Sequence, residues 1–237
     1  MNKGFPKIAI AGENSVIVYF SERPCAKTSS LIANTSKQLN NNLSNKLIDL
    51  VPSYHSLLVI YNALTIDYLT IEKEIHSIVA NASDKELANG KSIELPVYYS
   101  LESGPDLRRL AKHAKLTIDE VISIHHQTEY TVYAMGFSPG FAYLGETDSR
   151  IAMPRLCTPR TMVPKGAVAI ADRQTAIYPS QSPGGWNLIG LCPTTMFDPS
   201  QHPSTLVEVG DKVSFKAINR DEFIQLGGKD QLSGIEQ

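Results

Sequence analysis

The first third of the chain alternates between two patterns of hydrophobic and polar positions. Short apolar runs bounded by turn residues predict strands, and apolar residues three to four positions apart predict helices. The predicted strands cover residues 7–11, 15–20, 48–51 and 56–61, and the predicted helices cover residues 24–43 and 67–82, the first of them weakened by a polar run at residues 38–42. The order β-β-α-β-β-α indicates a compact α+β sandwich.

The next forty residues mix both patterns. A strand is predicted at residues 93–99, and the Gly-Pro-Asp of residues 104–106 indicates a short helix with proline in its first turn. Thr117 and Glu120 have the spacing of a capping box, which predicts a second helix that runs to about residue 126.

From residue 129 onwards, helical periodicity disappears. Short β-rich runs separated by Gly and Pro clusters indicate a β-barrel or a sandwich. These runs cover residues 130–135, 168–171, 175–178, 187–190 and 213–217. Because the stretch 84–91 is polar and contains Asn-Gly, we place a domain boundary there, with an α+β domain at residues 1–90 and a β-rich domain at residues 91–237.

Composition narrows the class of protein. Of the 237 residues, 42% are hydrophobic and 19% are charged, as in ordinary globular proteins. The formal net charge of −2 disfavours nucleic-acid binding. We expect no signal peptide, and because no run of roughly 18 apolar residues is present, we expect no membrane span. Three cysteines without C-x-x-C spacing disfavour a disulfide framework, and we expect a cytoplasmic protein.

A cationic segment interrupts this nearly neutral background. Arg155, Arg160 and Lys165 lie among three prolines, which stiffen the chain and reduce the entropy lost when charges are held in place. Arginine forks suit carboxylate and phosphate groups. The segment is therefore a candidate for anion binding or a solvated loop with scattered charges, and spacing alone slightly favours the loop.

Residues 136–140 spell G-x-S-x-G, the pattern of a nucleophile elbow. That elbow uses the backbone N–H of the residue after the serine, and Pro139 has none, so a catalytic Ser138 is disfavoured. The alternative is a tight glycine loop in which Phe137, Phe141 and Tyr143 form either an aromatic surface or part of the core.

Two further features leave alternatives open. No ligand spacing around His125 and its neighbour His126 completes a metal site, and His125 is a candidate for acid–base work or a hydrogen-bonded structural residue. The only tryptophan, Trp186, is either a flat anchor for a ligand or a buried residue beside a turn. The sequence contains neither a P-loop nor G-x-G-x-x-G, so any nucleotide site is atypical or shared with another chain.

Together, these stretches resemble one family. Residues 136–145 follow its G-F-x-P-G-F-x-Y-L-G signature. Further matches follow in family order at residues 158–160, 163–166, 174–179, 182–190 and 197–199, with looser ones upstream at residues 51–59, 104–107 and 124–130. The chain resembles the 5-oxoprolinase B-subunit family (PxpB), also called KipI or allophanate hydrolase subunit 1.

The resemblance implies an α+β N-terminal domain followed by a cyclophilin-like β-barrel. It implies the B subunit of an ATP-dependent 5-oxoprolinase, which opens 5-oxo-L-proline to L-glutamate, with Mg-ATP in a site shared with a partner subunit. The implied partners are the C subunit (KipA, like allophanate hydrolase subunit 2) and the A subunit (LamB/YcsF-like) of this enzyme. Two alternatives stay open: a KipI-type inhibitor of a sensor histidine kinase, and a component of a biotin-dependent urea or allophanate system. Prolyl isomerase activity is disfavoured, because the cyclophilin likeness concerns only the fold.

Residue types and loop positions in this family suggest the site residues. We expect His125 as a proton carrier, and Arg160 and Lys165 as catalytic cations. The expected residues for binding substrate, nucleotide or partner are Phe137, Pro139, Gly140, Phe141, Tyr143, Arg155, Pro164, Gly166, Gln174, Thr175, Tyr178, Pro183, Gly184, Gly185 and Trp186. The chain departs from the family pattern at His126, Lys165, Asp172, Arg173, Ala176 and Leu191. These departures put the substrate in question rather than the fold.

Overall fold

The structure is a computed structural model that describes residues 4–81 and 90–229. The chain forms two compact units, Met1–Gly90 and Lys91–Gln237. The polar stretch in which we expected the boundary falls mostly on residues 82–89, outside the described residues. The expected last residue of the second helix, residue 82, lies there too.

Unit 1 combines a four-stranded antiparallel sheet with two helices. Its strands are β1 (Lys7–Gly12), β2 (Ser15–Tyr19), β3 (Leu47–Pro52) and β4 (Ser56–Tyr61), and its helices are α1 (Ala26–Leu43) and α2 (Tyr68–Asn81). The strand order is β1-β2-β4-β3. The predicted sequence of elements in this part of the chain is confirmed.

Alternation along the strands determines which face of this sheet is buried. Val16 and Val18 on β2 are fully buried, and they pair with Val59 and Leu57 on β4, which are also fully buried. Removing each such side chain from water stabilises the fold by about 2 kcal/mol. The helices contribute to the same core through Ile32, Leu39, Leu43, Ile71, Ile75, Ile78 and Val79.

Helix α1 ends where predicted and differs from its prediction at its start. It begins after Cys25 rather than at Pro24, and the Cys25 Sγ accepts a hydrogen bond from the Thr28 N–H at 3.4 Å. The polar run expected to weaken it remains helical, because Leu39 and Leu43 are buried in the core of the unit. Tertiary packing outweighs local preference here.

Unit 2 is built around a closed barrel. Its strands are β5 (Ser92–Tyr98), β6 (Tyr130–Met135), β7 (Ala142–Gly145), β8 (Arg160–Val163), β9 (Ala167–Ala171), β10 (Gln174–Ile177), β11 (Ser182–Gly184), β12 (Asn187–Leu191) and β13 (Lys212–Ile218). The seven barrel strands follow the order β10-β7-β6-β13-β5-β12-β9, and β8 and β11 form a separate two-stranded ribbon. The fold class, an α+β domain followed by a β-barrel, is confirmed.

Within residues 90–229, three α-helices accompany the barrel: α3 (Leu107–Ala114), α4 (Ile118–Gln127) and α5 (Arg220–Gln225). The predicted capping box of Thr117 and Glu120 is present at the start of α4. Helix α3 begins after Asp106, so Pro105 precedes the helix instead of lying in its first turn. The Asp106 side chain does not cap the helix, because its carboxylate oxygens bind other partners.

Five elements described in unit 2 were not predicted: β7, β8, β11, α5 and a 3-10 helix at Ser149–Ile151. The three strands have only three or four residues, too few for a period of two to be recognised. Helix α5 has six residues and is stabilised by a capping box of Asn219 and Glu222. None of the helices in the described parts of the chain is long and apolar enough to cross a membrane.

Candidate functional site

Five aromatic side chains of unit 2 form one group, the aromatic cluster of Phe137, Phe141, Tyr143, Tyr178 and Trp186. Tyr143 lies on β7, Tyr178 follows β10, and Trp186 lies in the two-residue link between β11 and β12. The ring centroid of Phe141 is 4.9 Å from that of Tyr143, 5.3 Å from Tyr178 and 5.7 Å from Trp186, each pair edge-to-face. Edge-to-face pairs at this spacing are favourable, so Phe141 is the centre of the cluster.

Phe137 is the exposed member of the aromatic cluster. Its ring centroid lies 5.2 Å from that of Phe141, yet 62% of the residue is exposed. Its φ of 70° lies in the left-handed region, which costs a residue with a side chain about 1–2 kcal/mol. Hydrogen bonds close the loop, from the Gly136 N–H to the Phe141 carbonyl and from the Phe141 N–H to the Ser138 carbonyl. An exposed ring held in a strained conformation is typical of functional sites.

Two glycines of the predicted site fix the position of Tyr178. A Cβ at Gly184 would lie 2.3 Å from the Tyr178 hydroxyl oxygen. Gly166 has a φ of 84°, and its N–H donates to the Tyr178 carbonyl at 2.7 Å. A Cβ there would lie 2.4 Å from the carbonyl oxygen of Cys192. The absence of a side chain at both positions is therefore a condition for this arrangement of the aromatic cluster.

A buried ion pair adjoins the aromatic cluster. Arg160 begins β8, only 11% of its side chain is exposed, and its Nη2 donates to Asp106 Oδ1 at 2.9 Å. Its Nη1 donates to the Trp186 carbonyl at 3.5 Å, a long hydrogen bond. The second carboxylate oxygen of Asp106 accepts from the Leu188 N–H at 2.7 Å. Arg160 is thus connected both to the Trp186 loop and, through Asp106, to β12.

A second arginine lies beside this pair. Arg109 on α3 has its Nε 3.7 Å from Asp106 Oδ1, and its Nη2 donates to the side-chain oxygen of the fully buried Asn187. The Asn187 amide nitrogen donates to the carbonyls of Ile170 at 2.8 Å and Pro154 at 3.1 Å. We call Arg109 and Arg160 the arginine pair. With the one carboxylate of Asp106, the group carries one net positive charge, and 43% of the Arg109 side chain stays exposed.

Positive charge also acts on the aromatic cluster. Burial raises the pKa of Tyr178 to about 12, although the cations Arg160 and Arg155 oppose this effect. The phenol is therefore protonated at neutral pH and does not serve as a base there. Lys165 is exposed, and the hydrogen bonds and ion pairs found for the arginine pair within residues 90–229 do not include it.

His125 lies in a different part of the barrel. It is fully buried, and its ring stacks on Phe215 with the centroids 4.7 Å apart. Its Nδ1 lies 2.7 Å from the Tyr99 hydroxyl oxygen, and its Nε2 lies 2.9 Å from Thr175 Oγ1. Because the Thr175 hydroxyl donates to the Ala169 carbonyl, it accepts from Nε2–H. The Tyr99 hydroxyl then donates to Nδ1.

This environment gives His125 a structural role. Burial lowers its pKa to about 3, so the ring is neutral at neutral pH and both nitrogens are occupied. Thr175 belongs to the same buried group, and Gln174 pairs with Gly145 of β7. His125 and Thr175 thus form a buried hydrogen-bonded pair, and Gln174 lies on the strand next to the one that carries Tyr143. Proton transfer by His125 stays a prediction, and its burial does not favour it.

The other predicted residues lie around the aromatic cluster. The Gly185 carbonyl accepts from the Leu156 N–H at 2.6 Å, which fastens the cationic segment to the Trp186 loop. Arg155 lies in that segment and is exposed. Among the remaining residues of the prediction, Gly140 and Pro164 are buried, whereas Pro139 and Pro183 are exposed.

Three residues that hold the arginine pair or belong to it were not among the predicted site residues: Asp106, Arg109 and Asn187. Asp106 and Arg160 are 54 positions apart, and Arg109 and Asn187 are 78 apart. Asp106 and Asn187 lie in stretches that match the family, at residues 104–107 and 182–190, but an aspartate before a helix predicts a cap and not an ion pair. Only the closed barrel brings these positions together.

Comparisons with known proteins agree with this architecture. Residues 6–207 match the family described as carboxyltransferase domain, subdomain C and D. A Bacillus subtilis (strain 168) protein named as the B subunit of 5-oxoprolinase is 33% identical over 222 residues, which cover 90% of this chain and 92% of the relative. This chain belongs to the 5-oxoprolinase B-subunit family. The Haemophilus influenzae member is 39% identical over 158 residues, covering 67% of this chain and 74% of the relative.

Solved structures extend the comparison. TTHA0988 is 31% identical with a TM-score of 0.76, and the match covers 86% of this chain but 40% of TTHA0988. The conserved uncharacterized protein PH0987 from Pyrococcus horikoshii is 41% identical with a TM-score of 0.56, covering 92% of this chain and 100% of PH0987. The urea carboxylase of Kluyveromyces lactis is 17% identical with a TM-score of 0.69, covering 92% of this chain and 22% of the enzyme, and it shows the fold alone. In TTHA0988 and urea carboxylase, the matched part is less than half of a longer polypeptide.

Proposed function

We propose that this chain is the B subunit of an ATP-dependent 5-oxoprolinase, which opens 5-oxo-L-proline to L-glutamate together with the C and A subunits. The observation that carries the proposal is that the arginine pair adjoins the aromatic cluster at Trp186. 5-Oxoproline is a small ring with one carboxylate, so it offers an apolar body and a negative charge to these two features. The names of the curated relatives support this reaction.

The chemistry requires activation of an unreactive amide. Resonance makes the lactam carbonyl a poor electrophile. Transfer of a phosphoryl group from ATP to the amide oxygen would make the carbonyl carbon open to attack by water, after which the ring C–N bond breaks and hydrolysis releases phosphate. The arginine pair binds carboxylate or phosphate oxygens and compensates their charge. Trp186 and Tyr143 cover the ring of the substrate and exclude bulk water. Tyr178, protonated at neutral pH, donates a hydrogen bond and does not remove a proton.

The residues of this chain fit ATP only in part. The arginine pair suits phosphate oxygens, but the sequence has no glycine-rich phosphate loop. Across residues 4–81 and 90–229, no group of three or more His, Cys, Asp or Glu side chains is arranged to hold a metal ion. We therefore expect Mg²⁺ to take its ligands from the phosphates, from water and from the C subunit. With phosphate contacts on this chain and metal ligands from the C subunit, the nucleotide site is shared between the two subunits.

A partner is also suggested by the size of the relatives. This chain matches 40% of TTHA0988, and the match does not include the rest of that polypeptide. We propose that separate chains, the C and A subunits, complete the site. Phe137, with 62% of its surface exposed, adds an apolar edge to the site. We propose that the C subunit contacts the site at this edge.

One experiment tests substrate and partner together. The chain has a single tryptophan, so incorporation of 5-fluorotryptophan gives one ¹⁹F signal from Trp186 in a complex with unlabelled partner proteins. We expect this signal to shift when the C subunit is added and to shift again with 5-oxoproline. We expect ATP hydrolysis that depends on 5-oxoproline only in the assembled enzyme.

The matched control ligand is 2-pyrrolidinone, the same lactam without the carboxylate. It should bind at least about 10-fold more weakly, because it offers nothing to the arginine pair. Equal affinity for the two lactams would contradict the proposed role of the arginine pair. An assembled enzyme without 5-oxoproline-dependent ATP hydrolysis would contradict the proposed reaction.

A further inference from the structure

Asp106 is a buried residue that contacts both members of the arginine pair. Only 8% of its side chain is exposed. Its Oδ2 accepts from the Leu188 N–H at 2.7 Å, and its own N–H donates to the Leu188 carbonyl at 3.1 Å. These two bonds fasten Asp106 to β12 independently of the arginine pair. The remaining oxygen, Oδ1, is then in a fixed position to bind guanidinium groups.

Both arginines meet this one oxygen and are held again at a second point. Asp106 Oδ1 lies 2.9 Å from Arg160 Nη2 and 3.7 Å from Arg109 Nε. Arg160 is held further at the carbonyl of Trp186, and Arg109 at the side chain of Asn187, the next residue. Each arginine thus loses side-chain entropy on folding rather than on binding a ligand.

We infer that Asp106 is a positioning residue, which fixes Arg160 and Arg109 as one preorganised pair of guanidinium groups beside Trp186. Such a pair suits a ligand with at least two anionic oxygens, a carboxylate or a phosphate. This inference rests on the proposed function, because it concerns the same site. It differs from a purely structural role, in which Asp106 would stabilise the barrel and leave the arginines' orientation to other contacts.

The two roles predict different kinetics for Asp106→Asn. The amide oxygen of asparagine still accepts from the Leu188 N–H, but the carboxylate that orients the arginines is lost. The site becomes more positive and less ordered, so ground-state binding of an anion is kept while alignment in the transition state is lost. We expect kcat of the assembled enzyme to fall at least about 10-fold, with KM for 5-oxoproline within about threefold of wild type.

A measurement without turnover tests the orientation directly. Side-chain Nε–H groups of arginine give resolved ¹⁵N signals, and Arg160→Lys assigns the signal of Arg160. The Arg160 Nε is buried in the structure, so its hydrogen should exchange slowly with water. In Asp106→Asn this exchange should accelerate at least about 10-fold, while backbone amides of β9 remain protected.

Asp148→Asn is the matched control variant. It breaks an exposed ion pair with Arg150 in the same unit, and it should leave both the kinetics and the Arg160 exchange rate at wild-type values. If Asp106→Asn yields too little folded chain, Asp106→Glu takes its place, because it keeps the charge and moves it by one methylene. The same changes in kcat and exchange are expected for it.

The outcomes separate the inference from the proposed function. Wild-type kcat per folded molecule, or an unchanged Arg160 exchange rate, overturns the positioning role of Asp106. If the wild-type complex shows no 5-oxoproline-dependent ATP hydrolysis, the proposed function fails. The exchange measurement alone then decides whether Asp106 orients the arginines.

Discussion

His125 and Arg160 are buried in the same unit and represent two ways of burying a polar side chain. His125 is neutral, stacks on Phe215, and both of its nitrogens bind hydroxyl groups of neighbouring residues. Arg160 keeps its charge against a buried aspartate and reaches the carbonyl of the half-buried Trp186. The hydrogen bonds of His125 stay within the core. Those of Arg160 connect the buried Asp106 to Trp186, a member of the aromatic cluster.

The comparison shows that burial by itself does not identify a functional residue. On the sequence alone, both side chains were candidates for catalysis. What separates them is where their hydrogen bonds lead. Both nitrogens of His125 are already occupied, so none is left for a ligand. Arg160, by contrast, forms with Arg109 and Asp106 a group that carries one net positive charge, and 43% of the Arg109 side chain is exposed.

The largest expected effect follows from the charge of Arg160. Arg160→Met leaves Asp106 buried without its closest counter-ion, so the free energy of unfolding should fall by about 3 kcal/mol. Urea unfolding followed by Trp186 fluorescence measures this in unit 2. Arg150→Met breaks the exposed pair with Asp148 and should have little measurable effect. Equal behaviour of the two variants would show that the Arg160 pair is no different from a surface pair.

The next effect concerns the neutral histidine. Burial lowers the pKa of His125 to about 3 in the folded chain, against about 6.5 in the unfolded chain. Between these values the unfolded state binds more protons, so the free energy of unfolding falls as pH falls from about 6.5 towards 3, by up to about 1.4 kcal/mol per pH unit. His125→Gln should be about 2 kcal/mol less stable at pH 7, because it leaves buried hydroxyl groups without partners.

The pH dependence distinguishes this variant from a general loss of packing. Stability of His125→Gln should fall less steeply below pH 6.5 than that of wild type, while His113→Gln, changed on the exposed side of α3, keeps the wild-type slope. The pH–rate profile of the assembled enzyme should be unchanged in His125→Gln. A shifted profile would restore His125 as a proton carrier and remove the contrast with Arg160.

The smallest effect on stability is expected at Phe137. Phe137→Gly removes a ring that is 62% exposed and relieves a φ of 70°, so the free energy of unfolding should change by less than about 1 kcal/mol. Activity of the assembled enzyme should nevertheless fall about 10-fold, because the aromatic edge is lost. Leu226→Ala, at another exposed apolar residue, is the control. Wild-type activity of Phe137→Gly would mean that the aromatic cluster is only packing.

Prediction from the sequence succeeded where the signal is local. The strands β2 and β4 follow from short apolar runs bounded by turn residues, and the start of α4 follows from Thr117 and Glu120. The predicted end of α1 at residue 43 is confirmed, and buried leucines hold its polar run in the helix. The prediction did not find β8 and β11, whose pairing joins residues about twenty positions apart through Gly and Pro.

By itself, the sequence determined the class of fold, the family and the set of loops that carry aromatic and cationic residues. Only the tertiary structure decided that His125 is enclosed in the core and that Arg160 and Arg109 share one oxygen of Asp106. The physical reason is that helix caps and strand alternation arise between residues close in the chain. The partners of a buried charge are chosen instead by closure of the barrel, which joins Asp106 to Arg160 across 54 positions.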